Sequence, residues 1–126
     1  MHELSIAYSL VEVASEAAQQ ASAEKVLAVH IRLGVLVGVV RSSLEFCYGL
    51  TAEGTILEGS QLAVRELPVI IYCAECECEM ELSRVHNFCC PRCHTPSGEV
   101  RQGRELEIDF LEIEESEGQE DEAPNS

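Results

Sequence analysis

The chain has 126 residues and a formal net charge of −15, from 23 acidic and 8 basic side chains. A negative charge of this size repels phosphate backbones and anionic lipid surfaces, so it argues against nucleic acid and membranes as partners. Hydrophobic residues make up 46% of the chain, but aromatic residues only 5%, so we expect a small aliphatic core. The length suits one modest domain with an appendage.

The sequence shows no signal for secretion and no segment for membrane insertion. Acidic residues at Glu3, Glu12 and Glu16 interrupt the opening stretch, and the uncharged run 33–40 is too short to span a bilayer. We therefore expect a cytoplasmic protein. In that reducing compartment, seven cysteines indicate metal ligation rather than disulfide bonds.

Two segments have the pattern of amphipathic helices. From residue 3 to about residue 22, apolar residues recur at helical spacing, namely at Ile6, Leu10, Ala14, Ala17 and Ala21. Ser42 stands three residues before Glu45, which is the spacing of a capping box that starts a helix. We therefore expect a second helix over about residues 43–53.

Three further segments have the pattern of β-strands. The first runs through residues 29–33, where apolar residues alternate with polar ones and His30 is expected to face solvent. The second covers residues 61–72 around Pro68, which favours one strand with an edge position or a bulge. The third, residues 105–114, alternates apolar with acidic residues and is expected to return to the first sheet.

Two Cys-x-x-Cys pairs, Cys73 with Cys76 and Cys90 with Cys93, are separated by 13 residues. Each short spacing lets a tight turn aim two sulfurs at one ion, and four thiolates close a tetrahedron that leaves no position for water. We therefore predict a structural zinc ion held by these four cysteines. Iron in a rubredoxin-like site uses the same sulfur tetrahedron and is an open alternative.

The other cysteines are less well placed to bind this ion. Cys89 also has a tolerated spacing to Cys93, but Cys90 is the preferred ligand because Pro91 presets the backbone angle φ of the turn. Cys47 lies in the second predicted helix and is expected to be a core thiol rather than a ligand.

The first three residues, Met1, His2 and Glu3, form a second candidate metal site. A bulky residue at position 2 should keep the initiator methionine in place, which leaves a free amine directly before a histidine. That amine, the His2 amide nitrogen and the imidazole can form two fused chelate rings in one plane, a geometry that nickel(II) and copper(II) favour. Glu3 could supply or orient a further donor. A solvated, frayed terminus is the alternative explanation of the same residues.

A Met-His-Glu start, an amphipathic helix, an α/β body and a Cys-x-x-Cys/Cys-Pro-x-Cys insertion together resemble the HypA/HybF family of nickel-insertion accessory proteins. The resemblance covers about residues 1–115. It implies that Met1, His2 and Glu3 bind nickel and that the paired cysteines bind structural zinc. It also implies a metallochaperone, not an enzyme, that delivers nickel to the large subunit of NiFe hydrogenase with a partner GTPase. Some relatives also serve urease maturation.

We therefore predict an α/β (α+β) fold, with two helices on a small sheet and an inserted four-cysteine zinc-binding domain. The nickel-binding α/β domain comprises residues 1–72 and 104–115, and the zinc-binding insertion comprises residues 73–103. Residues 116–126 are rich in acidic residues and poor in apolar ones, so we expect a disordered tail. A monomer or a weak homodimer fits this organisation.

Three histidines are candidates for a further nickel donor. His94 directly follows the last zinc cysteine, and a flexible zinc domain could bring it to the nickel, whereas His86 and His30 are weaker candidates. A loop histidine that hydrogen-bonds a zinc thiolate is the alternative for His94. The main alternative for the whole chain is a zinc-ribbon protein-interaction module that handles no nickel. No Gly-x-x-x-x-Gly-Lys-Ser/Thr loop is present, so nucleotide hydrolysis would fall to the partner.

Overall fold

The computed structural model describes residues 3–82 and 88–115 of the chain. Its elements in chain order are α1 (Glu3–Gln20), β1 (Ala23–Gly34), a short 3-10 turn (Val35–Val37), α2 (Arg41–Ala52), β2 (Gln61–Leu67), β3 (Val69–Cys73), β4 (Cys78–Leu82), β5 (Val100–Gln102) and β6 (Leu106–Glu115). The strands form two three-stranded sheets, in the orders β2-β1-β6 and β4-β3-β5. The predicted α+β fold with two helices is confirmed for the described residues, and β6 joins the first sheet as predicted.

The chain divides into two compact units. The described residues of the first unit fall within Met1–Ile31, Val39–Val64 and Ile108–Ser126, and those of the second within Arg32–Gly38 and Arg65–Glu107. The division into a domain of residues 1–72 and 104–115 and an insertion of residues 73–103 stays a prediction. The predicted acidic tail, residues 116–126, lies outside the described residues.

Helix α1 is confirmed, but the residues that it buries are only partly those of the predicted apolar face. Its buried residues are Ala7, Leu10, Val11, Ala14 and Ala18. Ile6 is half-buried, and Ala17 and Ala21 are exposed. The many alanines on this face let α2 pack closely, and α2 buries Leu44, Tyr48 and Ala52. Over the stretches 3–82 and 88–115, no helix is both long and apolar enough to cross a lipid bilayer.

The start of α2 differs from the prediction. The helix begins at Arg41, and its N-cap residue is Val40, whose side chain provides no cap. The capping box expected from Ser42 and Glu45 is therefore wrong, and Glu45 instead pairs with Arg41 at 3.1 Å between Oε2 and Nε. The Val40 N–H donates to Oε2 of Glu3 at 3.1 Å, so a carboxylate from the start of α1 satisfies a backbone donor at the N-terminus of α2.

The segment around Pro68 forms two strands, so the expectation of a single strand is wrong. β2 ends at Leu67 and β3 begins at Val69, and the two strands belong to different sheets. Proline has no N–H to donate to a ladder, so strand pairing is interrupted at this residue. The Pro68 carbonyl accepts a hydrogen bond from Nε2 of Gln102 at 3.0 Å.

The second unit has a small aliphatic core of its own. The core consists of buried Val69, Ile71 and Leu82, against which pack Leu36, Met80 and Val100. β3 is the central strand and pairs antiparallel with both β4 and β5. Its alternate residues are buried, and the last of them is Cys73. The strand that carries the core therefore also presents the first cysteine of the predicted metal site.

A close backbone contact at Gly34 holds the end of β1 against the segment between β5 and β6. The Gly34 N–H donates to the Glu105 carbonyl at 2.8 Å, and the Leu36 N–H donates to the Gly103 carbonyl at 2.8 Å. A Cβ at Gly34 would lie 2.1 Å from the carbonyl carbon and oxygen of Gly103. Only glycine leaves room for this approach.

Candidate metal centre

Four cysteine sulfurs converge in the second unit, those of Cys73, Cys76, Cys90 and Cys93. All four Sγ atoms lie within 4.8 Å of one another. Cys73 Sγ is 3.5 Å from Cys93 Sγ, and Cys76 Sγ is 3.9 Å from Cys90 Sγ. Four sulfurs at about 2.3 Å from a central tetrahedral ion would be roughly 3.8 Å apart. The donor set therefore fits one tetrahedral ion, with no position left for water.

The first cysteine pair lies in the turn between β3 and β4. Cys73 ends β3, and its Cα is paired with that of Cys78 at the start of β4. The Cys76 N–H donates to the Cys73 Sγ at 3.4 Å. Glu77 follows with a φ of 55°, a left-handed conformation that few residues with a side chain adopt. This residue turns the chain back into β4.

The second cysteine pair lies in a similar turn. Cys89 forms an antiparallel bridge with Pro96, which brings the two ends of the turn together. The Arg92 N–H donates to the Cys90 Sγ at 3.4 Å. His94 has a φ of 65°, and its N–H donates to the Cys90 carbonyl at 2.8 Å. In each turn, the residue after the second cysteine is left-handed, so the two turns present their sulfurs through the same local conformation.

The four sulfurs differ in acidity because their surroundings differ. The hydroxyl and N–H of Thr95 lower the pKa of Cys93 to about 6. Backbone N–H groups, that of Cys93 first, lower the pKa of Cys90 against the opposing effect of burial. Burial and the neighbouring thiols raise the pKa of Cys76 to about 12. The Cys76 N–H lowers the pKa of Cys73, but burial and the nearby thiols together raise it above its ordinary value.

Among the described residues, the converging group contains Cys90 and not Cys89. Cys89 and Cys78 are half-buried, and each lies at the base of one of the two turns rather than among the four sulfurs. Cys47 is half-buried in α2 and is not among the converging cysteines of the described residues, so it is less buried than the expected core thiol but is not a candidate ligand. The assignment of the four converging cysteines as ligands stays a prediction, now with a geometry that suits it.

The predicted nickel site is described only in part. Met1 and His2 lie outside the described residues. Glu3 is half-buried, and its Oε2 accepts the hydrogen bond from the Val40 N–H. The Glu3 carboxylate therefore has a structural contact at the N-terminus of α2, whether or not it also serves a metal.

The three candidate histidines lie in different surroundings. His94 is exposed in the second cysteine turn, and His86 lies outside the described residues. His30 is half-buried, with its Nε2 2.6 Å from Oε2 of Glu112 and its ring stacked on Phe110 at 4.0 Å between centroids. His30 alternates with buried Val29 and Ile31 and remains partly open to solvent, so the expectation that it faces solvent is met only in part. The residues that cover it come from β6, which the alternation within β1 does not reveal.

A family model described as "HypA: Hydrogenase/urease nickel incorporation, metallochaperone" matches residues 1–113. The chain belongs to the HypA family. The "Hydrogenase maturation factor HypA" of Chloroflexus aurantiacus is 46% identical over 112 residues, which cover 89% of this chain and 98% of the relative. The protein of the same name from a Roseiflexus species is 46% identical over 114 residues, covering 90% of this chain and 93% of the relative.

A solved structure supports the same fold. The solution structure of "the Ni metallochaperone HypA from Helicobacter pylori" matches with a TM-score of 0.67 and covers 92% of this chain and 100% of that one. At a sequence identity of 22%, this match supports a shared fold and nothing more. The resemblance seen in the sequence is confirmed, and the family is one of nickel metallochaperones rather than enzymes.

Proposed function

We propose that this protein carries nickel(II) to the large subunit of NiFe hydrogenase, in cooperation with a partner GTPase. The observation that carries the proposal is a Met-His-Glu start together with four converging cysteine sulfurs in a chain of the HypA family. The relatives named as hydrogenase maturation factors favour hydrogenase as the recipient over urease. With seven free cysteines and no helix suited to a membrane among the described residues, we place this activity in the cytoplasm.

The nickel is cargo, and we propose that the Met1 amine, the His2 amide nitrogen and the His2 imidazole bind it, with Glu3 close by. Nitrogen donors in one plane suit nickel(II), whereas zinc has no such electronic preference. A site built from so few residues at a chain end can release its ion by ligand exchange. Both the amine and the imidazole must lose a proton to bind, and their reference pKa values are about 8 and 6.5, so acid should weaken nickel binding.

The second metal in the proposal is zinc at Cys73, Cys76, Cys90 and Cys93. A closed four-thiolate site cannot activate water, and it supplies folding free energy to a unit with only a small core. Its role is therefore architectural. Iron would fit the same sulfurs, but it would give the purified protein a visible absorbance that zinc lacks.

The test uses protein with its native N-terminus, loaded with zinc and titrated with nickel at mildly alkaline pH. We expect about one zinc and up to one nickel per chain by elemental analysis. His2→Ala should abolish nickel uptake but leave zinc content and folding unchanged, and an N-terminal extension before Met1 should do the same. Cys73→Ser should reduce zinc content and loosen the second unit. His94→Ala, in the described turn beside the sulfurs, tests whether that histidine adds a donor.

Three results would contradict the nickel proposal. If X-ray absorption placed nickel among sulfur ligands, or if the wild-type protein took up no nickel beyond its zinc, the chain would be a zinc-ribbon interaction module instead. If wild-type nickel affinity were the same at mildly acidic and mildly alkaline pH, the amine and imidazole would not be the donors.

A further inference from the structure

One face of α2 is apolar and open to solvent. Phe46 is 68% exposed and Leu50 is 50% exposed. They are four residues apart, so they form one ridge on the outside of the helix, opposite the buried residues Leu44, Tyr48 and Ala52. Phe46 is more exposed than any other large apolar side chain in the described residues. The apolar surface of this ridge stays exposed in the isolated chain, so it adds no burial energy to folding.

Gly49 lies beside this ridge in the interior of α2. A Cβ at this position would meet no described atom within 4 Å. Glycine is less favourable than alanine inside a helix, and no packing within the described residues requires it here. The missing side chain leaves open space next to the Phe46–Leu50 ridge, and this space is called the groove below. A ridge with a neighbouring groove is the surface against which a second helix packs, and a small residue lets its backbone come close.

The groove has an acidic residue at each end. Glu45 lies one helical turn before Gly49 and is ion-paired with Arg41, with 3.1 Å between Oε2 and Nε. Glu53 is the C-cap residue just after the end of α2, and both glutamates are exposed. The chain as a whole carries a charge of −15. A second copy of this chain would therefore be repelled, and the chain's own residues 116–126 are acidic and almost without apolar side chains to fill the groove. Charge complementarity points to a basic partner.

We infer that the face formed by Phe46, Gly49 and Leu50 binds an amphipathic helix of a basic partner protein. An apolar side chain of that helix enters the groove at Gly49 and contacts Phe46 and Leu50. A lysine or arginine side chain on its flank reaches Glu53, and another reaches Glu45 beside its ion pair with Arg41. The inference does not depend on the nickel role, because it uses only the exposed surface of α2.

The experiment uses the full-length, zinc-loaded protein and a defined synthetic helical peptide of about 18 residues, roughly five helical turns. The peptide carries leucines at i, i+4 spacing along one face and lysines on both sides of that face. Two comparison peptides have the lysines replaced by glutamates, or the same residues reordered so that no apolar stripe forms. Binding is measured by fluorescence anisotropy at physiological salt, and the site is mapped by amide chemical shifts.

We expect the basic amphipathic peptide to bind and to shift amide signals along the outer face of α2, and the comparison peptides to bind at least about tenfold more weakly. Phe46→Ser should weaken binding about tenfold or more. Gly49→Gln fills the groove with a better helix former, so it should raise Tm by about 2–5 °C and yet weaken peptide binding about tenfold. That opposite effect on folding and binding separates a docking surface from a merely structural one.

Val13→Ser and Gly98→Gln are the matched controls. Val13 is 56% exposed on α1, and a Cβ at Gly98 in the second unit would meet open space, so both changes alter an open position that is not part of the proposed face. They should leave peptide binding unchanged. The inference is overturned if Phe46→Ser binds the basic peptide like the wild type, or if the reordered peptide binds equally well. It is also overturned if sedimentation shows a homodimer that Phe46→Ser dissociates, because the occupant would then be a second copy.

Discussion

The substitution Gly34→Ala should destabilise the second unit strongly, although it adds only one methyl group. The new Cβ would lie 2.1 Å from backbone atoms of Gly103, whereas ordinary contacts begin near 3.4 Å. The end of β1 and the segment at Gly103 must therefore separate by about 1.3 Å. Overpacking of this kind destabilises a folded protein. The φ of Gly34 is −76°, so an alanine has no backbone difficulty there, and the cost is steric alone.

The size of the effect follows from the bonds that this separation would break. The hydrogen bonds from Gly34 N–H to Glu105 and from Leu36 N–H to Gly103, each 2.8 Å long, would lengthen to about 4 Å and be lost. Two such bonds contribute about 1 kcal/mol each, and the remaining strain about 1–3 kcal/mol. We therefore expect the free energy of unfolding to fall by about 3–5 kcal/mol, a large part of the total for a small protein.

Urea unfolding of the zinc-loaded protein, followed by circular dichroism, measures this loss. Release of zinc to a coloured chelator should also become faster, because the affected contact lies in the same unit as the cysteines. Gly98→Ala is the control, since its Cβ would meet no described atom within 4 Å, and it should change stability by no more than about 0.5 kcal/mol. A stability of Gly34→Ala within about 1 kcal/mol of wild type would refute the steric reasoning.

Two further predictions follow from individual contacts. Glu3→Ala should lower the free energy of unfolding by about 0.5–2 kcal/mol, because the Val40 N–H loses its acceptor. Glu3→Gln keeps an oxygen acceptor and should lose less stability. Equal losses of stability in thermal unfolding of the two variants would contradict this reasoning. Burial raises the pKa of Tyr48 despite its 2.5 Å hydrogen bond to Ser60. The tyrosine of the unfolded chain therefore ionises first, and the free energy of unfolding should fall as the pH rises above about 10. A Tyr48→Phe variant with the same alkaline loss would show that another group is responsible.

Local sequence patterns predicted the elements that depend on local interactions. The periodicity of residues 3–22 was enough to predict α1, and the alternation of apolar and acidic residues was enough to predict β6. The two Cys-x-x-Cys spacings placed each pair of sulfurs in one turn, and the structure brings both turns together. Close spacing limits the conformations available to a short segment, so these features can be derived without knowledge of the tertiary fold.

Contacts between distant residues account for what the sequence analysis missed. The acceptor for the Val40 N–H is Glu3, 37 residues earlier, and no pattern near α2 could indicate it. The cover over His30 comes from Glu112, 82 residues later. At Pro68 the chain passes from one sheet to the other. This change depends on the strands that pair with β2 and β3, and the sequence of residues 61–72 does not specify those partners. In each case the deciding partner lies on another element.

The placement of Cys73 at the end of β3 would join retention of the proposed zinc ion to the integrity of the small sheet. Val69 and Ile71 anchor that strand in its core, and the next inward position is a sulfur of the four-cysteine group. Withdrawal of the ion by a chelator should therefore proceed as one cooperative transition with melting of β3, β4 and β5. Metal content would then report directly how much of a preparation is correctly folded.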